Sequence, residues 1–194
     1  MRKKGKTRGW ELMLSHSFQT NITTGFVKGT ASSDINDAIE HLRSCSDQVA
    51  HPMLLPIIIL SHDLSSRSDQ KQRDARDWLR RLENAVTMRN EIDEKEGYMD
   101  FNLDAINRDL VECHSQVLWK RPQAYQDIVL QLERAMERFM DAVPPDRLDR
   151  ELRMLDRSMR ARLEFYMAKL KGIEHYVATT LARLDIQRSA VRDV

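Results

Sequence analysis

The sequence predicts a mainly α-helical protein, with long antiparallel helices, an extended stalk-like C-terminal helix and at most a small N-terminal β-hairpin. Apolar residues recur at spacings of three and four over most of the chain after residue 34, which is the period of an amphipathic helix. Charged residues form 31% of the chain and coat the polar faces of these helices. Residues typical of strands are concentrated between positions 10 and 30.

The overall composition excludes several classes of partner. The net charge is +1, so the chain has no electrostatic reason to bind nucleic acid or an anionic membrane. The longest apolar run, residues 52–60, is shorter than the roughly 20 residues that cross a bilayer. We therefore expect no membrane insertion by this chain, and membrane association only if the natural protein continues into transmembrane helices. Two cysteines, Cys45 and Cys113, predict reduced thiols in the cytoplasm.

The N-terminal region divides into a tail and a hairpin. Residues 1–9 are rich in lysine and arginine and predict a disordered basic tail, and residues 10–194 predict a single helical domain. Within residues 10–30, Gly25 and Gly29 are the candidate turn positions. An isolated hairpin is marginal in water, so this one either packs on the helices or lacks strands that another chain would supply.

Four helical segments follow the hairpin. Asp34 is a candidate N-cap for the first. Pro52 is tolerated in the first turn of the second, which we expect to break near Ser65. Pro122 interrupts the third because a proline disfavours helical geometry in the residue before it. The predicted segments are residues 34–45, 51–90, 102–142 and 146–190.

The last helix carries the most regular apolar stripe. Its eleven positions advance by a mean of about 3.6 residues, which keeps them on one side of a straight helix and favours bundle packing over a long two-stranded coiled coil. Some 45 helical residues would extend about 67 Å, so we expect part of the helix to project or self-associate. The stripe is the predicted interaction surface and consists of Leu148, Leu152, Leu155, Met159, Leu163, Tyr166, Leu170, Ile173, Val177, Leu181 and Leu184.

No set of residues predicts catalysis. His41 and Cys45 lie four apart on a predicted helix, but a zinc site needs three or four ligands. Cys113 and His114 are adjacent, and adjacent side chains on a helix diverge by about 100°, so they cannot act as nucleophile and base. A core cysteine beside a surface histidine is the simpler interpretation. We therefore predict that the protein is not an enzyme.

An acidic cluster provides the only candidate metal ligands, and a weakly held regulatory Mg²⁺ is the only cofactor that the sequence suggests. Hydrated Mg²⁺ needs only one or two protein carboxylates. The simpler alternative is an exposed charged corner between two helices. The candidate ligands are Glu91, Asp93, Glu94 and Glu96.

Three segments carry a family resemblance: residues 10–17 (WELMLSHS), the Thr23–Phe26 stretch, and His51–Pro56 (HPMLLP) at the start of a long helix. Together with a long terminal helix, they resemble the cytosolic part of fungal CorA-like proteins, which are relatives of magnesium channels. The resemblance implies an α/β cytosolic region that leads through a stalk helix into membrane helices of a pentamer. This chain lacks the Gly-Met-Asn motif of the family's pore and any membrane helix, so the resemblance implies a portion without transport activity of its own.

The leading functional hypothesis is therefore a non-enzymatic regulatory or stalk-bearing part of a CorA-like magnesium-transport protein. In that case the apolar stripe would meet neighbouring subunits. The alternative is a free-standing helical interaction or scaffold module that uses the same stripe to hold a different protein. Both hypotheses predict a homo-oligomer or a helical protein partner.

Overall fold

A computed structural model describes residues 10–29, 35–91, 103–117 and 122–192. Within these residues the fold is mainly helical, with one antiparallel hairpin at the N-terminal side, as the sequence predicts. The two strands are β1 (Trp10–Ser17) and β2 (Ile22–Gly29), and the six helices are α1 (Ile35–Ser44), α2 (Leu54–Asp63), α3 (Ser66–Glu91), α4 (Leu103–Val117), α5 (Pro122–Ala142) and α6 (Arg150–Arg192).

The predicted break in the second helical segment is present in the structure. α2 ends at Asp63 and α3 begins at Ser66, so the second predicted segment breaks near Ser65, as expected. In the third predicted segment α4 extends to Val117 and α5 begins at Pro122, where the missing N–H of proline costs no helical hydrogen bond; residues 118–121 lie outside the described residues. The basic tail, Asp34 and most of the acidic segment lie outside the described residues.

The contacts group the chain into two compact units, whereas the sequence predicts one domain for residues 10–194. Unit 1 comprises Met1–Ser65 and Gln126–Ala168, and unit 2 comprises Ser66–Tyr125 and Lys169–Val194. The long helix α6 contributes its first part to unit 1 and its second part to unit 2. Apolar periodicity describes one helix at a time, so it does not reveal that a helix changes its packing partners along its length.

The hairpin belongs to unit 1 and differs from the prediction in where it turns. The turn is formed by residues 18–21, and Asn21 takes a left-handed conformation with φ of 57°. Gly25 and Gly29 lie inside β2, where they pair with Leu14 and Trp10. A Cβ on Gly25 would lie 2.5 Å from Leu14 Cδ2 and 2.8 Å from the Met13 carbonyl oxygen, so this glycine makes room for β1.

The hairpin packs on the helices of unit 1. The rings of Phe18 and Phe139 stack with centroids 5.7 Å apart, and His16 meets Phe139 edge-on at 5.3 Å. Arg147 donates hydrogen bonds to the carbonyl oxygens of Phe18 and Gln19. The sequence left two alternatives for the hairpin, packing on the helices or pairing with strands of another chain, and the structure shows the first.

The core of unit 1 is centred on α2, which is apolar around most of its circumference. Ile57, Ile58, Ile59 and Leu60 have at most 1% of their surface exposed. Fully burying one such side chain stabilises a fold by about 1.5–3 kcal/mol, so this short helix is a large contributor to unit 1. Phe139, Val143 and Leu152 form a second part of the core, against which Phe18 packs.

Unit 2 is a bundle of α3, α4 and the second part of α6. Its core is a single apolar cluster, with Trp78, Ile106, Val177 and Leu181 packed around it, and its buried members are Ala75, Leu79, Leu82, Leu110, Cys113, Val117 and Leu184. Two ion pairs lie at its rim, Lys169 with Asp69 at 2.9 Å and Arg183 with Glu83. Among the described residues of both units, no helix is long and apolar enough to span a membrane.

Candidate interaction surfaces

The candidate magnesium ligands are only partly within the described chain. Glu91 is the last residue of α3, and Asp93, Glu94 and Glu96 lie outside the described residues. Within the described ranges, no three histidine, cysteine, aspartate or glutamate side chains converge in an arrangement that could hold a metal ion. The magnesium site stays a prediction.

His41 and Cys45 do not form the start of a zinc site. The Nδ1 atom of His41 lies 3.2 Å from Nε2 of His62, across the contact between α1 and α2. One of these nitrogens must carry a proton and donate it to the other. The pair therefore joins two helices of unit 1, and Cys45 is a half-buried free thiol.

Cys113 is a core residue, as the sequence predicts. Its side chain is fully buried and its thiol donates to the carbonyl oxygen of Ala75, with sulfur and oxygen 3.5 Å apart. Burial raises the pKa of the Cys113 thiol, so the unreactive protonated form prevails at neutral pH. His114 is half-buried on the neighbouring side of the helix.

His51 lies before α2 and fixes the backbone that leads into this helix. Its Nδ1 atom accepts a hydrogen bond from the Met53 N–H at 3.1 Å, so the proton of the neutral ring resides on Nε2. That nitrogen lies 3.5 Å from Oδ1 of Asp156, which is too long for a well-formed hydrogen bond, and neither atom has a hydrogen-bond partner among the residues that the structure describes. Arg160 donates to the other carboxylate oxygen of Asp156 at 2.8 Å.

The His51 ring is neutral because it is buried. Only 1% of the residue is exposed, and its ring lies 4.5 Å from that of Phe139. Burial lowers the pKa of His51 to about 4, the carboxylate of Asp156 opposes that shift, and positive charge on Arg160 and on protonated His16 adds to it. A buried neutral imidazole in the core has a pH-dependent cost to stability, and His51 also contributes to the lining of a groove beside β2.

The predicted interaction stripe of α6 is used inside the chain. All eleven residues from Leu148 to Leu184 are buried or half-buried. Leu152 joins the core of unit 1, while Val177, Leu181 and Leu184 pack into the core of unit 2. Leu163, Leu170 and Leu184 have at most 1% exposure, so they are not available to a neighbouring subunit. The prediction that the stripe packs against other helices is confirmed, whereas its role in association stays a prediction.

A second, uncharged face runs along the opposite side of α6. It consists of Met154, Ser158, Ala161, Phe165, Ala168, Gly172, Tyr176, Thr179, Ile186 and Ala190, all of them exposed. We call this set the outer face of α6. Consecutive members are three or four residues apart, except that Arg183 occupies the position between Thr179 and Ile186. The face lies about 140° around the helix from the stripe. Arg183 is turned aside by its bond to Glu83 on α3.

The outer face alternates large and small side chains. Met154, Phe165, Tyr176 and Ile186 are between 54% and 65% exposed, and the side chains between them are serine, alanine, glycine and threonine. Tyr176 has one neighbour above its ring, the guanidinium of Arg76 at 4.9 Å. Sequence reasoning missed this face because its small side chains do not give a strong apolar signal, although its residues recur at spacings of three and four.

A groove of about 450 Å³ lies in unit 1 beside β2. One wall is formed by the hairpin and the other by α1, the start of α2 and the segment between them. The lining contains no aspartate, glutamate, lysine or arginine; its residues are Leu12, Leu14, Asn21, Ile22, Thr23, Thr24, Gly25, Phe26, Val27, Leu42, Val49, His51, Pro52, Leu54 and Leu55.

Residues 22–27 of β2 contribute to the lining of this groove, and β2 has one unpaired edge in the described chain. In the described chain β2 pairs with β1 alone, over eight consecutive residues without a bulge. Phe26 and Met13 pair across the outer side of the hairpin and are 62% and 72% exposed. Comparison with known proteins adds no relative to this description, because no protein-family model matches the sequence and a search of curated proteins finds no match.

Proposed function

We propose that this protein is a non-enzymatic interaction module that binds an extended segment of a partner protein along β2. The observation that carries the proposal is the free edge of β2 beside an uncharged groove. The proposed setting is the cell interior, where the free thiols of Cys45 and Cys113 stay reduced.

The backbone of β2 is suited to an additional strand. In an antiparallel ladder, alternate residues direct their N–H and C=O groups away from the paired neighbour, so β2 presents a row of such groups on its free side. Proteins usually protect long edges with prolines, bulges or several charges. β2 has Lys28 as its single charged residue and contains no proline.

The groove adds side-chain selectivity to this backbone recognition. Side chains of an added strand would alternate, with every second one directed to the side of the sheet on which the groove lies. The lining is uncharged and mostly apolar, with Leu42, Val49 and Leu55 on the helical wall. Gly25 and Thr23 contribute little volume, so the incoming side chains need to be large. The expected ligand is a segment with alternating large apolar residues and no charge facing the groove.

A matched pair of exposed valines tests the proposal. Val49 lines the groove and is 53% exposed, while Val111 on α4 is 52% exposed and belongs to unit 2. The probe is a fluorescein-labelled eight-residue peptide of alternating leucine and threonine, with binding measured by fluorescence anisotropy. Val49→Asp should weaken binding by about tenfold or more, because an unpaired carboxylate beside apolar side chains is costly to bury. Val111→Asp should bind the peptide like the unmodified chain.

Amide hydrogen exchange identifies where the probe binds. Peptide binding should slow exchange at alternate residues of β2, because those N–H groups gain a partner. The proposal is contradicted if the peptide fails to bind at millimolar concentration, or if Val49→Asp and Val111→Asp bind it equally well.

The regulatory role in cation transport remains a second, more specific proposal. It is supported by the resemblance and by the order of elements: a hairpin, a helix opened by His51–Pro56, and an unbroken final helix of 43 residues. In this form the chain would be the stalk-bearing part of a CorA-like protein, with a weakly held Mg²⁺ at the acidic segment.

The response of the protein to Mg²⁺ distinguishes the two proposals. Under the transport proposal, millimolar Mg²⁺ should change the mass in sedimentation or the pattern of limited proteolysis, relative to NaCl at equal ionic strength. Glu91→Gln combined with Asp93→Asn should remove that response. An interaction module without a cation site should give the same mass and fragments in both salts.

A further inference from the structure

We infer that protonation of His51 releases one wall of the groove beside β2, so that the groove is a pH-controlled binding site. In the seated form the neutral ring holds the segment that leads into α2. In the released form the charged ring leaves that segment for Asp156. The loss of ligand binding rests on the proposed function, whereas the release of the wall can be measured without a ligand.

The hydrogen bond between His51 and Met53 requires a neutral ring. The Met53 N–H can only donate, so Nδ1 of His51 must keep its lone pair, and the ring proton resides on Nε2. Protonation adds a hydrogen to Nδ1, which then faces a second donor at 3.1 Å. The bond therefore cannot exist in the charged form.

This bond fixes part of the groove wall. The carbonyl oxygen of His51 also accepts the Leu54 N–H at 3.1 Å, so one residue holds two amides of the turn into α2. Four residues of this segment line the groove: His51, Pro52, Leu54 and Leu55. Protonation leaves the Met53 N–H without its acceptor, which is costly in a part-buried site. The turn must then rearrange, and the wall changes with it.

The charged ring has a partner at its other nitrogen. Nε2 of His51 lies 3.5 Å from Oδ1 of Asp156, and this oxygen has no hydrogen-bond partner among the described residues. The second oxygen of Asp156 accepts from Arg160, which also lies 4.0 Å from Glu137 on α5. A positive charge on the ring strengthens its attraction to Oδ1. Protonation therefore shifts the strongest bond of His51 from the groove wall to α6.

The charged groups around His51 determine how acid acts on it. They are Asp156 and Arg160 on α6 and His16 on β1, while α5 contributes the uncharged ring of Phe139. In the seated form burial lowers the pKa of His51 to about 4, whereas a released ring that meets water regains its ordinary pKa of 6.5. The released form holds the proton more tightly, so acid favours it. The ratio of released to seated forms should rise about fiftyfold from pH 7 to pH 4.5.

Residue-resolved amide hydrogen exchange tests the release without a ligand. The protection factor, which removes the intrinsic pH dependence of exchange, should fall about tenfold or more at Met53 between pH 7 and pH 4.5. It should stay nearly unchanged at Leu64, whose N–H donates to the Leu60 carbonyl oxygen at 2.9 Å at the far end of α2. A parallel fall at both amides would indicate unfolding of unit 1 as a whole. That result, or unchanged protection at Met53, overturns the inference.

Two histidine variants identify the titrating group. His51→Asn keeps an acceptor for the Met53 N–H but does not titrate, so protection at Met53 should be equal at both pH values. His16→Asn is the control, because Nδ1 of His16 lies 2.9 Å from Oγ1 of the groove residue Thr23, and burial and Arg147 lower the pKa of His16. It should keep the fall at Met53. The inference is wrong if His51→Asn retains the fall or His16→Asn removes it.

Peptide binding at two pH values tests the control of the site. The leucine–threonine peptide carries rhodamine here, because fluorescein itself titrates in this range. The unmodified chain should bind it about threefold or more weakly at pH 4.5 than at pH 7, since only the seated form is competent. His51→Asn should bind it equally at both. Equal binding by the unmodified chain contradicts pH control. A peptide that binds at neither pH contradicts the proposed function, and the exchange result then decides on the release alone.

Discussion

The two units bury different chemistry in cores of similar construction. Unit 1 encloses an imidazole and a carboxylate, His51 and Asp156, beside the ring of Phe139. Among the described residues of unit 2, the only buried titratable group is the thiol of Cys113, and its ion pairs lie at the rim. The stability of unit 1 should therefore depend on pH as well as on packing, whereas that of unit 2 should depend mainly on packing.

The largest expected effect is a cavity in unit 2. Leu79 is fully buried among Ala75, Leu110 and Leu184. Leu79→Ala should lower the free energy of unfolding by about 2–5 kcal/mol, since apolar burial is lost and a void remains. Urea denaturation followed by circular dichroism measures the loss. Val111→Ala, at an exposed site on α4, should change stability by no more than about 0.5 kcal/mol. Similar losses for both variants would argue against the assigned core of unit 2.

Two glycines should respond to alanine in opposite directions. Gly25→Ala should destabilise the hairpin by about 1–3 kcal/mol, because the new Cβ would collide with Leu14 and with the Met13 carbonyl oxygen. Gly172 in α6 has no neighbouring atom within 4 Å of such a Cβ, so Gly172→Ala should stabilise by about 0.5–1 kcal/mol. Urea denaturation at low protein concentration measures both. A neutral Gly25→Ala would show that β1 and β2 do not approach as described.

The pH dependence sharpens the comparison between the units. The pKa of His51 is about 4 in the folded chain and about 6.5 when unfolded, so between these values the unfolded chain binds more protons. The His51 contribution to stability is therefore complete above about pH 6.5 and is lost as the pH falls towards 4, with a slope of at most about 1.4 kcal/mol per pH unit.

Denaturation at several pH values measures this slope. His51→Asn should reduce it, because asparagine can still accept the Met53 N–H but does not titrate. His175→Asn, at an exposed position of α6, is the control and should leave the slope as it is. If His51→Asn retains the full slope, the acid sensitivity arises elsewhere in the chain.

The smallest expected effect concerns the rim of unit 2. Hydrogen bonds from Arg183 to Glu83 raise the pKa of the arginine. The Arg183 side chain is 38% exposed, so solvent screens the pair and Arg183→Gln should cost only about 0.2–1 kcal/mol. Double-mutant cycles with Glu83→Gln in low and high salt measure the coupling. A coupling that does not fall with salt would mean that this pair behaves as a buried one.

Local features of the fold were predictable from neighbouring residues. The polar residues after Asp63 indicated where a helix is interrupted. Pro52 indicated a nearby helix start, but it lies outside the helix because α2 begins at Leu54. The turn of the hairpin was misplaced because glycine usually marks a turn, whereas here Gly25 makes room for a packed leucine and Asn21 supplies the left-handed residue.

Features that depend on distant residues were not predictable in the same way. Asp156 lies beside His51 although the two are far apart in the sequence, and no periodic pattern connects them. The stripe of α6 was correctly identified as a packing face, but its partners are helices of the same chain. The groove arises where β2 approaches α1 and α2, which is a property of tertiary structure alone.

The buried thiol of Cys113 is a built-in probe of the opening of unit 2. A thiol reagent can reach Cys113 only when the surrounding helices separate, so in a Cys45→Ser chain the rate of labelling equals the rate of opening multiplied by the chance of capture. With excess reagent each opening is captured, and with little reagent the labelling reports the equilibrium between open and closed forms. Labelling of this one native side chain thus measures both the rate at which unit 2 opens and the equilibrium between its open and closed forms.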